Sequence, residues 1–227
     1  MPRSITKPAR HISLKLMYYK VLDNGLVVKN PIIDDAPALE FVQRACYPTL
    51  AENEIMAAEH FRSQINIFPE GQVAIFDGDK LVASATALLY TDIEHDHTFL
   101  ESSGNLYLTT HEPDGEWLYG IDMGVLPEYR GRGFARILYR ARHALVHELG
   151  IKGQAIAGMI PGFAKHKDQY SLDEYYQKVI NKEIWDPTSS TQMRMGFQPL
   201  RLIRDYLDDP SSGNASIMMI LPAETIV

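Results

Sequence analysis

Residues 116–150 hold the feature that most restricts what this chain can become: an apolar run, a glycine-arginine turn and a long amphipathic run, in that order. "EWLYGIDMGVLP" (116–127) reads as a buried strand, and its glycines at 120 and 124 suggest a bulge or a close backbone approach. "PEYRGRGFARILYRARHAL" (127–145) then packs Arg130, Arg132, Arg136, Arg140 and Arg142 into one short stretch. Phe134, Ile137, Leu138, Ala141, Leu145, Val146 and Leu149 fall at helical spacing, and Gly150 stands where a C-terminal cap belongs. A helix with one apolar stripe, fed directly by a strand, needs a sheet to cover.

The flanking segments supply that sheet. "GLVVKN" (25–30) reads as a strand, and a helix follows with Asp34 or Asp35 as N-cap and Pro37 in its first turn. A second helix is predicted over 51–65, ended by "PEG" at 69–71. "QVAIFDGDKLVASATALLY" is a hairpin joined at Asp77-Gly78. Residues 92–116 read as a long acidic loop with a short strand at "LYLTT". "KGQAIAGMI" (152–160) is a strand, and 161–187 an inserted, partly helical segment with a capping box from Ser171 to Glu174. A short helix around "SSTQMRM" ends at Gly196-Phe197, and "ASIMMIL" closes with a strand. The expected organisation is an N-terminal arm over 1–24, disordered and leading into a strand, and one α/β domain over 25–227 with insertions at about 92–116 and 161–187.

Composition narrows the partners. Against 22 Lys+Arg stand 29 Asp+Glu, a net charge of −7, which argues against nucleic acid and makes the arginine cluster a local feature. Cys46 is the only cysteine, so an intrachain disulfide and a multi-cysteine zinc site are both excluded. It reads as a small buried hydrophobe rather than a nucleophile. No stretch approaches the ~20 apolar residues of a membrane span, and the expected compartment is the cytoplasm.

A strand-to-helix turn presents unpaired N–H groups and the positive end of the helix dipole, which together favour an anion. Gly131 and Gly133 let a ligand approach the backbone, and Arg136 and Arg140 lie one turn apart on the polar face. A pyrophosphate on the turn with a further phosphate beyond it accounts for the cluster; a solvated helix face accounts for the arginines but not for the glycines. A P-loop would need a lysine after the glycines, and a dinucleotide fingerprint a small residue at Arg136. An RNA-binding RGG segment would not run into an amphipathic helix.

"VLPEYRGRGFARIL" resembles the core motif of the GNAT superfamily of acyl-CoA N-acyltransferases: a strand ending V-x-P, then Arg-x-x-Gly-x-Gly/Ala, then a helix. Arg130, Gly133 and Ala135 fill those motif positions. The resemblance implies a single mixed, largely antiparallel sheet flanked by helices. It also implies acetyl-CoA as co-substrate, its pyrophosphate on the backbone of Arg130, Gly131, Arg132, Gly133, Phe134 and Ala135. Its pantetheine would run along Met123, Gly124 and Val125, and the oxyanion donor would be the N–H at or near Val125. "GMIPGF" and "WDPTSSTQMRMGFQP" look like a branch sometimes joined to a carbon–nitrogen hydrolase domain.

The chemistry so implied is N-acetylation of a primary amine, on a small molecule or a protein, by direct attack in a ternary complex. A homodimer is compatible with it. An ammonium must lose a proton before it attacks. Asp122, in an otherwise apolar strand, is the candidate base, with Glu116 the second; a carboxylate paired for structure is the competing account of Asp122. Where the family often has a tyrosine four residues before Gly-Phe, this chain has Gln192, and the usual asparagine position falls at Trp185. Those departures favour the opposing reading, a non-catalytic acyl-CoA-binding regulatory module. Tyr170, Tyr175 and Tyr176 point to 161–187 as a lid or wall of the acceptor pocket, with core packing the competing account. His95, His97 and His111 with Asp92 and Asp96 give no frame for a metal, and none is expected. The acidic loop that holds them reads as solvated or as lining the amine site, where its charge would favour a cationic substrate.

Overall fold

The computed structural model describes residues 17–227. Of the N-terminal arm expected over 1–24, residues 1–16 lie outside the described residues, and Tyr19–Val21 form an edge strand, β1. β2 (Val27–Lys29) pairs with it, and α1 (Ala36–Cys46) follows with Asp35 in the N-cap position. The Asp35 carboxylate accepts from the N–H of Ile32 (2.8 Å) and so closes the preceding turn, not the helix.

α2 runs Ala58–Ile67, starting seven residues later than the 51 expected. Tertiary bonds hold the chain before it out of helical geometry. Ala51 N–H donates to the Asp208 carbonyl (3.0 Å), and the Glu54 carboxylate turns inward to accept from Asp208 N–H (2.8 Å).

The hairpin is β3 (Gln72–Asp77) and β4 (Lys80–Tyr90), with Gly78 and Asp79 as the two turn residues between the paired Asp77 and Lys80. In 92–116 the expected strand is absent. Thr98 caps a short helix, α3 (Phe99–Ser103), through a reciprocal bond with Glu101. Leu106 and Leu108 then take left-handed backbone (φ 73° and 62°) so that both leucines reach the core. Gln64 of α2 holds that bend by donating to the Leu106 carbonyl (2.7 Å).

β5 (Trp117–Val125), α4 (Phe134–Leu149) and β6 (Gly153–Met159) follow the expected order. α4 is the crossover that lets β5 and β6 run parallel. Then come α5 (Leu172–Ile180), α6 (Ser189–Arg194), β7 (Gln198–Ile203) and β8 (Ser216–Pro222). β7 was not anticipated. The eight strands form one sheet in the order β1-β2-β3-β4-β5-β6-β8-β7, antiparallel at every step but β5–β6. No helix of the described residues is long and apolar enough to cross a membrane.

The segment 161–187 is packed into the core rather than lying over the cleft as a lid, and only its ends, Pro161 and Pro187, form part of the cleft wall. Tyr175 is fully buried, donates its hydroxyl to Asp186 (3.0 Å), and packs with Val179 against Ile217 and Met219 of β8. The Ser171–Glu174 capping box is present as expected.

Two faces of the sheet matter for the site. Thr86 of β4 bonds Gln64 of α2, so its side of the strand faces α1 and α2. Ala87 and Leu89, on the opposite side, pack with Leu145 and Val146 of α4.

Candidate active site

The ladder between β4 and β5 pairs Thr86 with Asp122 but Ala87 with Gly120, which leaves Ile121 as one extra residue. The bulge is therefore at Ile121, not at Gly124, which pairs regularly with Ser84. Its effect is on direction. In an unbroken strand Gly120, Asp122 and Gly124 would share a face. Here Gly120 stays against α4, where an added Cβ would lie 2.6 Å from the Arg142 guanidinium. Asp122 and Gly124 instead face α1, where a Cβ on Gly124 would meet Cys46 Sγ at 2.9 Å.

Arg142, one of the five clustered arginines, occupies the bulge from beneath. It is buried, and its Nη2 donates to the carbonyls of Thr86 and Asp122, the latter at 2.6 Å. The bulge leaves those carbonyls to be satisfied, and a charged donor does so strongly. This arginine belongs to the fold rather than to a phosphate site.

Beyond Gly120 and Ile156 the parallel ladder stops, and β5 and β6 splay. A cleft of about 600 Å³ opens in the gap, lined by residues 120–125 and 156–159 with Ala135, Tyr139 and Arg142 of α4. Leu126 N–H donates to the Val82 carbonyl (3.0 Å), so alternation turns the N–H of Val125 toward the gap. The donor expected there owes its freedom to the splay, not to a bulge at Gly124. Val125 C=O accepts from Arg130 Nε (3.1 Å), and Met123 C=O from the Tyr47 hydroxyl (2.9 Å).

Asp122 is 6% exposed and lines this cleft, and its Oδ2 has no hydrogen-bond partner. Burial pushes the carboxyl up to about 6, partly offset by the Tyr47 hydroxyl and the Arg142 charge. Cys46, nearby at the end of α1, has its thiol pushed up to about 11 by burial and the Asp122 charge. It is protonated at neutral pH and no nucleophile.

At the mouth, Gly131 (φ 75°) and Gly133 (φ 81°) take left-handed backbone, and a Cβ on either would meet nothing within 4 Å. Gly133 is the N-cap of α4 and no side chain caps the helix. Its first N–H groups are left for a ligand or water. Arg132 stacks 4.8 Å over the Tyr129 ring and donates to Glu128 C=O (3.0 Å), whereas Arg136 is exposed. Arg140 donates to Val227 C=O (2.8 Å).

The structure gathers Asp122, Met123, Gly124, Val125, Arg130 and Ala135 on the cleft, with Gly131, Arg132 and Gly133 exposed on the adjoining turn. The Phe134 side chain does not join them: it is buried and stacks with Tyr129 at 6.1 Å. Glu116 lies outside the cleft, paired with Lys152 (2.6 Å). Of the acidic segment 92–116 only Phe99 reaches the cleft; Asp92 pairs with His95, Asp96 with Arg201, and Glu101 caps α3. The expected acidic lining is therefore wrong. His97 bonds Tyr119, and His111 accepts from Leu89 N–H while burial holds it down at about 4. Among the described residues no three His, Cys, Asp or Glu side chains converge as metal ligands do.

Gln192 is buried on the cleft wall and its amide donates to the Tyr139 hydroxyl (3.0 Å). A phenol thus stands beside the expected position, carried by α4 instead of α6. Trp185 is exposed, under the Arg194 guanidinium (4.0 Å). Sequence reasoning missed Tyr47, Tyr139 and Arg142. Only the position of Arg142 on the apolar side of α4, directly after Ala141, signalled its burial.

The Acetyltransferase (GNAT) family profile matches residues 37–156. A Bacillus subtilis protein, "Probable hydrolase YhcX", is 34% identical over 193 residues, 84% of this chain but 37% of its own length. "Uncharacterized N-acetyltransferase YkwB" of the same organism is 29% identical over 198 residues, 86% of this chain and 88% of its own. Among solved structures, the GphF GNAT-like decarboxylase in complex with isobutyryl-CoA superposes with a TM-score of 0.75 at 15% identity, over 87% of this chain and 99% of that one.

Proposed function

Since the chain belongs to the GNAT acetyltransferase family, we propose that it moves an acetyl group from acetyl-CoA to a primary amine by direct attack in a ternary complex. The observation that carries this reading is the Asp122 carboxylate, buried with one oxygen unpartnered and facing the splay of β5 and β6.

The residues present fit the co-substrate. The uncapped start of α4, with open space at Gly131 and Gly133, suits a pyrophosphate; the divergent edge of β5 at Met123 and Val125 suits an amide-bearing arm. Acetyl-CoA supplies the activated acyl thioester. The chain's own groups manage protons and charge.

Asp122 accepts the proton of the incoming ammonium, and a carboxyl near pH 6 is ionised at neutral pH yet basic enough to be useful. Val125 N–H stabilises the oxygen that gains charge. As the C–N bond forms and the C–S bond breaks, the thiolate takes a proton from Tyr139, the phenol that α4 contributes to the cleft wall, and the second proton lost by the nitrogen restores that phenol through water. Burial holds that phenol above its ordinary range, so it carries its proton at neutral pH.

The test is thiol release from acetyl-CoA across a panel of primary amines, beside calorimetry of acetyl-CoA alone. Amine-dependent release is the expected result. Binding with no release from any amine would leave an acyl-CoA-binding module, and no binding at millimolar acetyl-CoA would overturn both.

A further inference from the structure

The half of the cleft on the α1 face is walled largely by carbon. Tyr47, Pro48 and Leu50 reach it from the α1–α2 connection, Phe99 from the start of α3, and Tyr206 and Leu207 from the β7–β8 connection. Both tyrosine hydroxyls are engaged elsewhere: Tyr47 on the Met123 backbone (2.9 Å), Tyr206 on the Tyr119 hydroxyl (3.1 Å), which in turn lies 2.9 Å from His97 Nε2. Their rings, not their polar tips, are left for the cavity. Phe99 N–H donates to the Tyr206 carbonyl (2.6 Å), and the two rings lie 6.2 Å apart, so this wall is fixed by the main chain.

The charged groups on this half are Asp122 and the cationic Arg130, whose Nε is spent on the Val125 carbonyl (3.1 Å); Gln43, Thr49 and Ser211 add only uncharged polar atoms, and no second carboxylate faces it. Glu54 is turned to the Asp208 N–H, and Asp209 to the hydroxyls of Ser211 and Ser212. A second ammonium on a substrate would sit here without a counter-charge, which is costly, whereas a ring or alkyl chain would bury apolar surface against apolar surface.

We infer that the acceptor is a primary amine borne on an apolar or aromatic body, with its amino group at Asp122 and its body against Leu50, Phe99 and Tyr206. This rests on the reading of the cleft as an acyl-transfer site and adds the substrate class. Small amines with a single apolar arm are selected; polyamines and lysine-like chains are not.

The test separates binding from turnover. Calorimetry on the CoA-loaded protein compares hexylamine and 2-phenylethylamine with 1,4-diaminobutane and spermidine, and thiol release is followed in parallel with acetyl-CoA. The apolar amines are expected to bind at least tenfold more tightly, with about fourfold gained per methylene from butylamine to hexylamine. Equal affinities, a reversed order, or no binding by any of the four would overturn the inference. Apolar amines that bind without releasing thiol would uphold it and sink the transfer reading instead. Leu50→Glu, at a half-buried position, should cut the preference about tenfold while acetyl-CoA affinity holds. An unchanged preference in that folded variant would also overturn it.

Discussion

Asp122→Asn should make this protein more stable at neutral pH while it destroys turnover. The carboxyl rises from the usual 3.8 to about 6 because it is buried. At pH above both values that rise is an unfavourable contribution of about 3 kcal/mol, since one pKa unit is worth about 1.4 kcal/mol. The sign follows from the direction. The folded carboxyl keeps its proton to higher pH than the unfolded one, so the folded state is favoured below about pH 4 and loses that advantage as pH rises through 6. Asparagine has the shape of the acid and never charges, so it should recover most of the loss at pH 8 and almost none at pH 4. Its N–H donors have the Tyr47 oxygen and cleft water to meet, which takes back part of the gain. A net stabilisation of about 1–3 kcal/mol remains, or roughly 2–12 °C in Tm for a chain of this size. Thermal unfolding of both proteins at pH 4 and pH 8 measures it. Turnover should fall by about 10²–10⁴, and the rise of kcat/KM through pH 6 should vanish. A variant less stable than wild type at pH 8 would refute the reasoning, because it would make Asp122 a carboxylate held for structure.

Gly133→Asp places a carboxylate in the open space before α4 and should weaken acetyl-CoA binding at least 100-fold by calorimetry, with the fold kept; unchanged affinity would move the pyrophosphate elsewhere. Tyr139→Phe should lower kcat about tenfold or more and leave acetyl-CoA affinity alone, so a normal kcat removes that phenol from the reaction. Arg142→Leu strips the carbonyls of Thr86 and Asp122 of their donor and should cost about 3–5 kcal/mol, read by urea unfolding; a loss under 1 kcal/mol would mean the bulge holds itself. Replacing 161–187 with a short Gly-Ser linker should abolish cooperative unfolding because Tyr175 and Val179 cover β8; a folded protein with altered amine selectivity would restore the lid.

Much of the frame was legible because its elements carry strong local codes. The apolar stripe of α4, Gly150 at its end, the hairpin and the Ser171 capping box each act within a few residues and stand as read, except that the turn falls on Gly78-Asp79, one residue past Asp77-Gly78. The family resemblance located the turn and the strand beside it. What escaped depends on distant partners. α2 starts late because residues 51 and 54 bond Asp208, more than 150 positions away. "LYLTT" has strand composition, yet Leu106 and Leu108 enter the core on left-handed backbone that Gln64 supports. Asp122 was found by its oddity, a carboxylate in an apolar strand. Tyr47 and Tyr139 have no such oddity, because tyrosines in helical or loop contexts are ordinary. The Thr98–Glu101 capping box has its own local code in the sequence, but the acidic, turn-rich residues around it carry the stronger signal of a loop.

The extra residue at Ile121 works as a change of phase. Upstream of it, every second side chain of β5 belongs to the helix α4; downstream, the same parity belongs to α1. A relative with the same letters but no bulge would, with Gly120 still opposite Ala87, pair Ile121 with Thr86 and Asp122 with Ala85, and so send its aspartate to the other side of the sheet, toward the arginine beneath. Likewise, an alignment whose gap falls two places late would match Asp122 to a side chain on the opposite face of the sheet. For this strand, comparisons between proteins should be anchored on the hydrogen-bonding partner, Thr86, because the letter alone does not say which compartment it serves. Gain or loss of the bulge is thus a route by which one change of register can move the aspartate from one compartment to the other.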